Sequence, residues 1–235
     1  MIPLKDNMRR RRFPLVNICL IIANVAVFLY QVSLPSREMQ AFIFHYGLIP
    51  REQLQVLLSF LGDPQLNLET GGMLFLPLFT ATFLHGGWFH LLSNMIYLWV
   101  FGDNIEDRLG HLGHLVVYLL LGAGANLAHV LSAPLSPVPL IGASGAVAGL
   151  LGAYFILYPR ARILTLVPLG FFITFVYIPA FMFLALWFLL QVFNVMAEPP
   201  GAQSVAWWAH IGGFVLGIVV GTLLKPKKQT RSNFE

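Results

Sequence analysis

The stretch ILTLVPLGFFITFVYIPAFMFLALWFLLQVFNV, residues 163–195, decides how many times this chain crosses a bilayer. It is long enough for two crossings of roughly 20 residues each, but Pro168, Gly170 and Pro179 interrupt it. Five other apolar runs are clear, around residues 14–34, 88–102, 112–131, 141–158 and 204–224. If the disputed stretch adds one crossing, over about 176–196, there are six helices and both termini share a side. That side then holds Lys5, Arg9, Arg10, Arg11, Arg12, Arg108, Arg160, Arg162, Lys225, Lys227, Lys228 and Arg231, leaving only Arg37 and Arg51 of the 14 Lys and Arg opposite. A seventh crossing would export the basic C-terminus, against the tendency of cytoplasmic segments to carry the positive charge. Residues 163–175 are therefore expected to form a hairpin dipping into the inner leaflet.

Composition agrees with a membrane protein. Of 235 residues, 57% are hydrophobic and 10% charged, where soluble domains carry roughly 25% charged residues. We expect an all-α protein of one domain over residues 1–235, with six transmembrane helices and short cytoplasmic tails at 1–12 and 225–235. The net charge of +4 follows from topology and contact with lipid headgroups, and no nucleic-acid partner is expected. Cys19 is alone, which excludes an internal disulfide. The segment MRRRRFPLVNICLIIANVAVFLYQVSLPS, residues 8–36, imitates a signal peptide. Its apolar part is too long and lacks an A-x-A exit, so we expect it to be kept as the first span.

Residues 35–84 form the longest segment between spans, an interfacial outer loop between helices 1 and 2. Within it Pro50 suits a first helical position, and Leu54, Leu57, Leu58 and Leu61 make one apolar face, as in a helix lying on the outer leaflet. Trp88, Trp207 and Trp208 stand where belt aromatics are expected.

No Asp, Glu, Lys or Arg lies deep in any span. That removes the buried ionisable groups of proton-coupled transporters and the paired carboxylates of aspartyl proteases. Asp103 is read as a boundary residue. No H-E-x-x-H motif occurs, and His111 and His114 fall in the inner turn, read as a solvated loop. No metal site and no cofactor is expected. The polar residues left are His85, His90, Asn94, Ser144 and His210. His90, Ser144 and His210 each fall in the first turn or two of a span running from outside to inside, at roughly 5–10 Å depth for a rise of ~1.5 Å per residue.

Asn94 follows His90 by four residues and shares its helix face. Gly213, Gly217 and Gly221 follow His210 along one side of the last span, while Ser144, Ala148 and Gly152 form a row in the fourth, with Gly145 and Gly149 beside it. Such seams let two helix backbones approach closely. A serine hydroxyl is inert until a base lies within about 2.6–3.2 Å. Ser144 with His210 as base therefore makes a nucleophile, and His90, Asn94 and the Ser144 amide at a helix start can stabilise a developing oxyanion.

With those residues in place, FLHGGWFHLLSNMIYLWVFGDNIEDRLG (83–110), IGASGAVAGLLGAY (141–154) and AHIGGFVLGIVVG (209–221) together resemble the rhomboid intramembrane serine proteases of the prokaryotic six-helix type. The order H-x-x-x-N, G-x-S-G, A-H-x-x-G carries the resemblance. It implies Ser144 as nucleophile and His210 as general base in a dyad, with His90, Asn94 and Gly142 stabilising the transition state. Gly145, Gly213 and Gly217 are then supporting residues, and His85 holds the outer loop by hydrogen bonds.

The resemblance further implies a water-filled cavity open to the outside, a small residue before the scissile bond and a helix-destabilised substrate. Transmembrane protein substrates and membrane lipids are the expected partners, and a plasma membrane the expected location. Two sites depart from the pattern of some family members: Ala148 stands where they carry an aromatic that packs on the histidine, and Leu76-Pro77 where they carry a Trp-Arg pair. Substrate is expected to enter past the fifth span, where Phe181, Phe183, Trp187 and Phe188 are gate candidates, and under the loop EPPGAQSVA (198–206). Two other readings are a non-catalytic relative that remodels membrane proteins and a small-molecule transporter. The first would lack the serine or histidine, and the second lacks deep charges and an inverted repeat.

Overall fold

The computed structural model describes residues 1–62, 75–170, 172–199 and 205–225. It is a multi-pass membrane protein built mainly of helices. Helix α1 spans Leu15–Ser33, α2 Ser36–Tyr46 and α3 Pro50–Gly62. Helix α4, Trp88–Tyr97, passes through a π-helical turn at Leu98–Gly102 into α5, Asp103–Ser132. Helices α6 (Ser144–Leu157), α7 (Ala180–Ala197) and α8 (Trp207–Leu224) complete the bundle. Among the described residues α1, the Trp88–Ser132 run, α7 and α8 are long and apolar enough to cross a membrane. Helix α3 starts at Pro50 as expected, whereas α2 went unread in the sequence.

The 45-residue run from Trp88 to Ser132 is two helical pieces divided by Gly110. Its φ of 75° and ψ of 171° lie outside helical space, in a region that a side chain disfavours. The inner turn expected between residues 102 and 112 therefore shrinks to one glycine, because Asp103–Leu109 are helical. This corrects the reading of His114 as part of a solvated loop, since it is fully buried; His111 is exposed and pairs with Glu106. The buried Glu106 carboxylate accepts hydrogen bonds from the Val16 and Asn17 amides at 2.9 and 2.7 Å. It thereby caps the first turn of α1, where free donors and the helix dipole favour an anion.

A hairpin stands where the sequence places one, but it is a β-hairpin. Strands β1 (Ile2–Asp6), β2 (Arg162–Leu169) and β3 (Phe172–Pro179) form an antiparallel sheet in that order. Arg162 pairs with Pro179 and Leu169 with Phe172, and Gly170 at the turn takes φ 61°. The all-α expectation is corrected by this sheet, and the span expected from residue 176 begins at Ala180 behind Pro179. A tail at 1–12 is corrected too. Strand β1 pairs Ile2 with Leu166 and Asp6 with Ile163. The Asp6 carboxylate accepts hydrogen bonds from Asn104 Nδ2 at 2.8 Å and from the Tyr154 hydroxyl. Asp103, read as a boundary residue, pairs with Arg10 at 3.3 Å, and Asp107 accepts from the Arg11 and Arg12 amides. Paired donors and carboxylates hold this segment down. Residues 226–235 of the expected C-terminal tail lie outside the described residues.

Helix α6 is the hub. All residues from Gly145 to Tyr154 are buried, and its 14 residues measure about 21 Å at ~1.5 Å per residue. That is short of the ~30 Å hydrocarbon thickness. Against it lies α8, and their backbones touch. A Cβ on Gly217 would overlap the Gly149 carbonyl oxygen, one on Gly213 the Gly145 carbonyl and one on Gly152 the Phe214 carbonyl. Phe101, Tyr118, Leu150, Leu151, Tyr154 and Phe183 fill the main core. Burying each large side chain contributes roughly 1.5–3 kcal/mol where water is the reference.

Candidate active site

The segment leading into α6 is fixed by two backbone ties. Leu48 and Leu140 exchange hydrogen bonds of 3.0 and 2.7 Å, and the Gly142 amide donates to the Ala81 carbonyl at 2.8 Å. Gly142 has φ 125°, and a Cβ there would come within 2.6 Å of His90 Nε2. Only glycine satisfies both the backbone and the neighbouring ring. The next turn begins α6 at Ser144, whose amide is among the free donors of the helix start.

Ser144 Oγ lies 2.8 Å from His210 Nε2, contributed by the first turn of α8. The other ring nitrogen, Nδ1, lies 2.9 Å from Gln191 Oε1 on α7. His210 is buried between Trp187, at a ring separation of 6.0 Å, and Trp207, at 5.8 Å and edge-on. His90 Nδ1 accepts from the Gly86 amide at 3.3 Å. Asn94 Nδ2 donates to the His90 carbonyl one turn back at 3.1 Å. His90, Asn94, Ser144 and His210 line a single cavity of about 900 Å³. The hydroxyl, an imidazole within hydrogen-bond distance of it, and polar groups on a third helix face one volume. Such a set is suited to acyl transfer through a serine.

The Rhomboid domain family matches residues 74–227. The chain belongs to the rhomboid family. It is 29% identical to RHOMBOID-like protein 4 of Arabidopsis thaliana over 92% of this chain and 54% of that protein. It is 48% identical to chloroplastic Rhomboid-like protein 11 of the same plant over 30% of this chain and 25% of that one. With the putative rhomboid protease YdcA of Bacillus subtilis it shares 39% identity over 33% of this chain and 38% of that protein. The chain thus spans about half, or less, of the length of these relatives.

In this rhomboid chain the other residues singled out from sequence are placed as follows. His85 sits in the loop ahead of α4, but its backbone, not its ring, makes the ties: its amide donates to Gln31 Oε1 and its carbonyl accepts from Gln31 Nε2 at 2.7 Å. The ring packs edge-on against Phe28 and His90. Gly145 backs onto Ala125, 2.7 Å from where its Cβ would be. Ala148 is fully buried, and the two tryptophans and Gln191 flank His210 instead of an aromatic at that position. Trp207 lines the cavity. Of the gate candidates, Phe183 is a core residue stacked on Phe101, and Trp187 and Phe188 stack on Phe214. Phe181 is exposed. Leu76 is exposed too, in a helical turn at residues 75–80. Residues 200–204 of the segment EPPGAQSVA, expected beside substrate entry, lie outside the described residues.

Gln191 and His129 also line the cavity and were missed; Trp187, named from sequence as a gate candidate, lines it too. Gln191 had a signal, as the one amide in the apolar segment 180–193. His129 had none beyond its composition.

Burial, with His90 beside it, pushes the His85 imidazolium down to about 3. The unfolded chain, with a histidine near pH ~6.5, takes up a proton that the folded chain refuses between those values. The stability contributed by the neutral ring is complete above about pH 6.5 and declines below it, by roughly 1.4 kcal/mol per pH unit for this group. Thermal melts in detergent should therefore show a lower midpoint at pH 5 than at pH 7.5. His85→Gln, which cannot titrate, should flatten that fall; an unchanged slope would remove His85 from the account.

Proposed function

We propose that this chain is an intramembrane serine endopeptidase that cleaves transmembrane or juxtamembrane segments of other membrane proteins with a Ser144–His210 dyad. The observation that carries the reading is the 2.8 Å Oγ to Nε2 contact inside a cavity shared with His90 and Asn94. Family membership and the relatives whose names describe them as rhomboid proteases, YdcA and GluP of Bacillus subtilis, support it.

Ser144 Oγ attacks the scissile carbonyl carbon while its proton passes to His210 Nε2. The carbonyl oxygen becomes an oxyanion, met by the Ser144 amide and by donors from His90 and Asn94. Collapse breaks the C–N bond, and the imidazolium gives its proton to the leaving amine. Water then attacks the acyl-enzyme with His210 again as base, restoring the hydroxyl and freeing the new carboxylate. A carbonyl held in a helical ladder is not accessible, so the substrate segment must be one that unwinds, with a small residue ahead of the cut.

The topology that goes with this activity has six spans: α1, the two halves of the 88–132 run, α6, α7 and α8. Both termini are cytoplasmic and the site opens to the non-cytoplasmic side of a plasma membrane. On this reading helix α6, about 21 Å long and shorter than the hydrocarbon layer, starts below the outer surface with Ser144 inside that layer. Membrane lipids and transmembrane proteins are its partners.

Purified protein in liposomes should cut a co-reconstituted transmembrane reporter at a single major site. Reporter left intact by folded protein across several transmembrane sequences would overturn the reading. His90→Ala and Asn94→Ala should each lower kcat by roughly 10²-fold or more, as for loss of one oxyanion donor. Turnover within a few-fold of wild type in either variant would remove that residue from the oxyanion site.

A further inference from the structure

His210 is held from both ring nitrogens, and only one of the two contacts belongs to the dyad. For Nε2 to accept the Ser144 proton, the ring proton must sit on Nδ1, and Nδ1 then needs an acceptor. Gln191 Oε1 is that acceptor at 2.9 Å. Its orientation is fixed because Gln191 Nε2 donates to the Trp187 carbonyl at 2.8 Å, one turn back in α7. Turning the amide over would face two oxygens at Trp187 and two donors at His210, so the network admits one arrangement.

Resting on the dyad proposed above, we infer that Gln191 is a positioning residue for His210: it selects the Nδ1–H tautomer and aims Nε2 at Ser144. It is a neutral counterpart of the carboxylate that orients a catalytic histidine in water-soluble serine hydrolases. A carboxylate here would have to be desolvated in the bilayer, at a cost of several kcal/mol; an amide oxygen offers an acceptor without that charge.

Gln191 also makes the base depend on where α7 sits. The buried residues of α7 are Ala180, Phe183, Leu184 and Gln191. The first three lie in its first turn and a half, against the core. Gln191 is the one buried in the C-terminal half. When that half moves aside, as entry of a helical substrate past α7 requires, His210 loses the partner that fixes its tautomer. Seating α7 again restores it, so the base is aligned once the substrate is enclosed.

The test compares wild type, Gln191→Met and Gln191→Glu in liposomes, by reporter cleavage and by the rate at which a fluorophosphonate labels Ser144. Met keeps the length and volume and removes the acceptor; Glu, held neutral by burial, keeps Oε1 and can donate its O–H to the Trp187 carbonyl in place of the amide. We expect Gln191→Met to lower kcat roughly tenfold, the scale of one lost hydrogen bond, with KM within about twofold. The labelling rate should fall by a similar factor, and Gln191→Glu should keep both within about threefold of wild type. A Met variant with wild-type kcat and labelling rate would overturn the inference. So would Met and Glu variants equally impaired with raised KM, which is the pattern of lost packing. Absence of both cleavage and labelling in wild type would sink the dyad, and this inference with it.

Discussion

Ser144→Ala is expected to abolish reporter cleavage, lowering kcat/KM by at least roughly 10⁴-fold, the scale seen when a nucleophile that acts as a unit with its base is removed. The side chain is small and its oxygen faces the cavity, so the variant adds no volume and strands no buried partner except His210 Nε2. Ser144 also provides no side-chain cap to α6, whose N-cap is Ala143. The melting midpoint in detergent should stay within a few degrees of wild type. Loss of activity then reports chemistry, not unfolding. A Ser144→Ala protein that still cuts at a rate near wild type would remove the covalent mechanism altogether.

The second large effect is expected at Gly217. Its α-carbon faces the Gly149 carbonyl, and an added methyl would overlap that backbone oxygen. Backbone cannot rotate aside as a side chain can, so α6 and α8 must separate along their whole seam. Overpacking a core typically costs about 1–3 kcal/mol, and the gain in helix propensity from Gly to Ala, about 1 kcal/mol, offsets only part of it. Because Ser144 and His210 stand on these two helices, the separation also lengthens their 2.8 Å contact. Gly217→Ala should lower the melting midpoint by several degrees and reduce cleavage more than tenfold. Gly217→Leu should prevent recovery of folded protein. Gly62→Ala is the control, since nothing among the described residues lies within 4 Å of the added methyl, and it should melt and cleave as wild type. Equal behaviour of Gly217→Ala and the control would mean that the seam does not set the distance between the two helices.

Ser144, His210, His90 and Asn94 were legible because they fall in the outer turns of predominantly apolar spans at one depth, and because the glycine rows say which helices approach. The hairpin was legible from Pro168, Gly170 and Pro179 together with the distribution of Lys and Arg. Its strand conformation was not, since an apolar run of that length has no period to separate strand from buried helix. Strand β1 could not be read either: Ile2–Asp6 gains its partners only when β2 arrives from far along the chain. The π-helical turn at Leu98–Gly102 meets a partner from far along the chain, Asn17, which donates to the Leu98 carbonyl at 2.9 Å. Gln191 was passed over for a related reason. A lone amide in an apolar helix usually serves as interhelical glue, and only the tertiary structure sets its oxygen against the ring nitrogen of His210. Phe183 was misassigned by the same limit, as composition alone does not tell which side of α7 meets the core.

The most direct measurement is the mass-mapped adduct of a fluorophosphonate probe on the native protein in liposomes. The account predicts one phosphonylated residue, Ser144, with modification lost in His210→Ala and in heat-denatured protein. An adduct on a different serine, or labelling of Ser144 at an undiminished rate without His210, would contradict the claim that these two side chains form a nucleophile and its base.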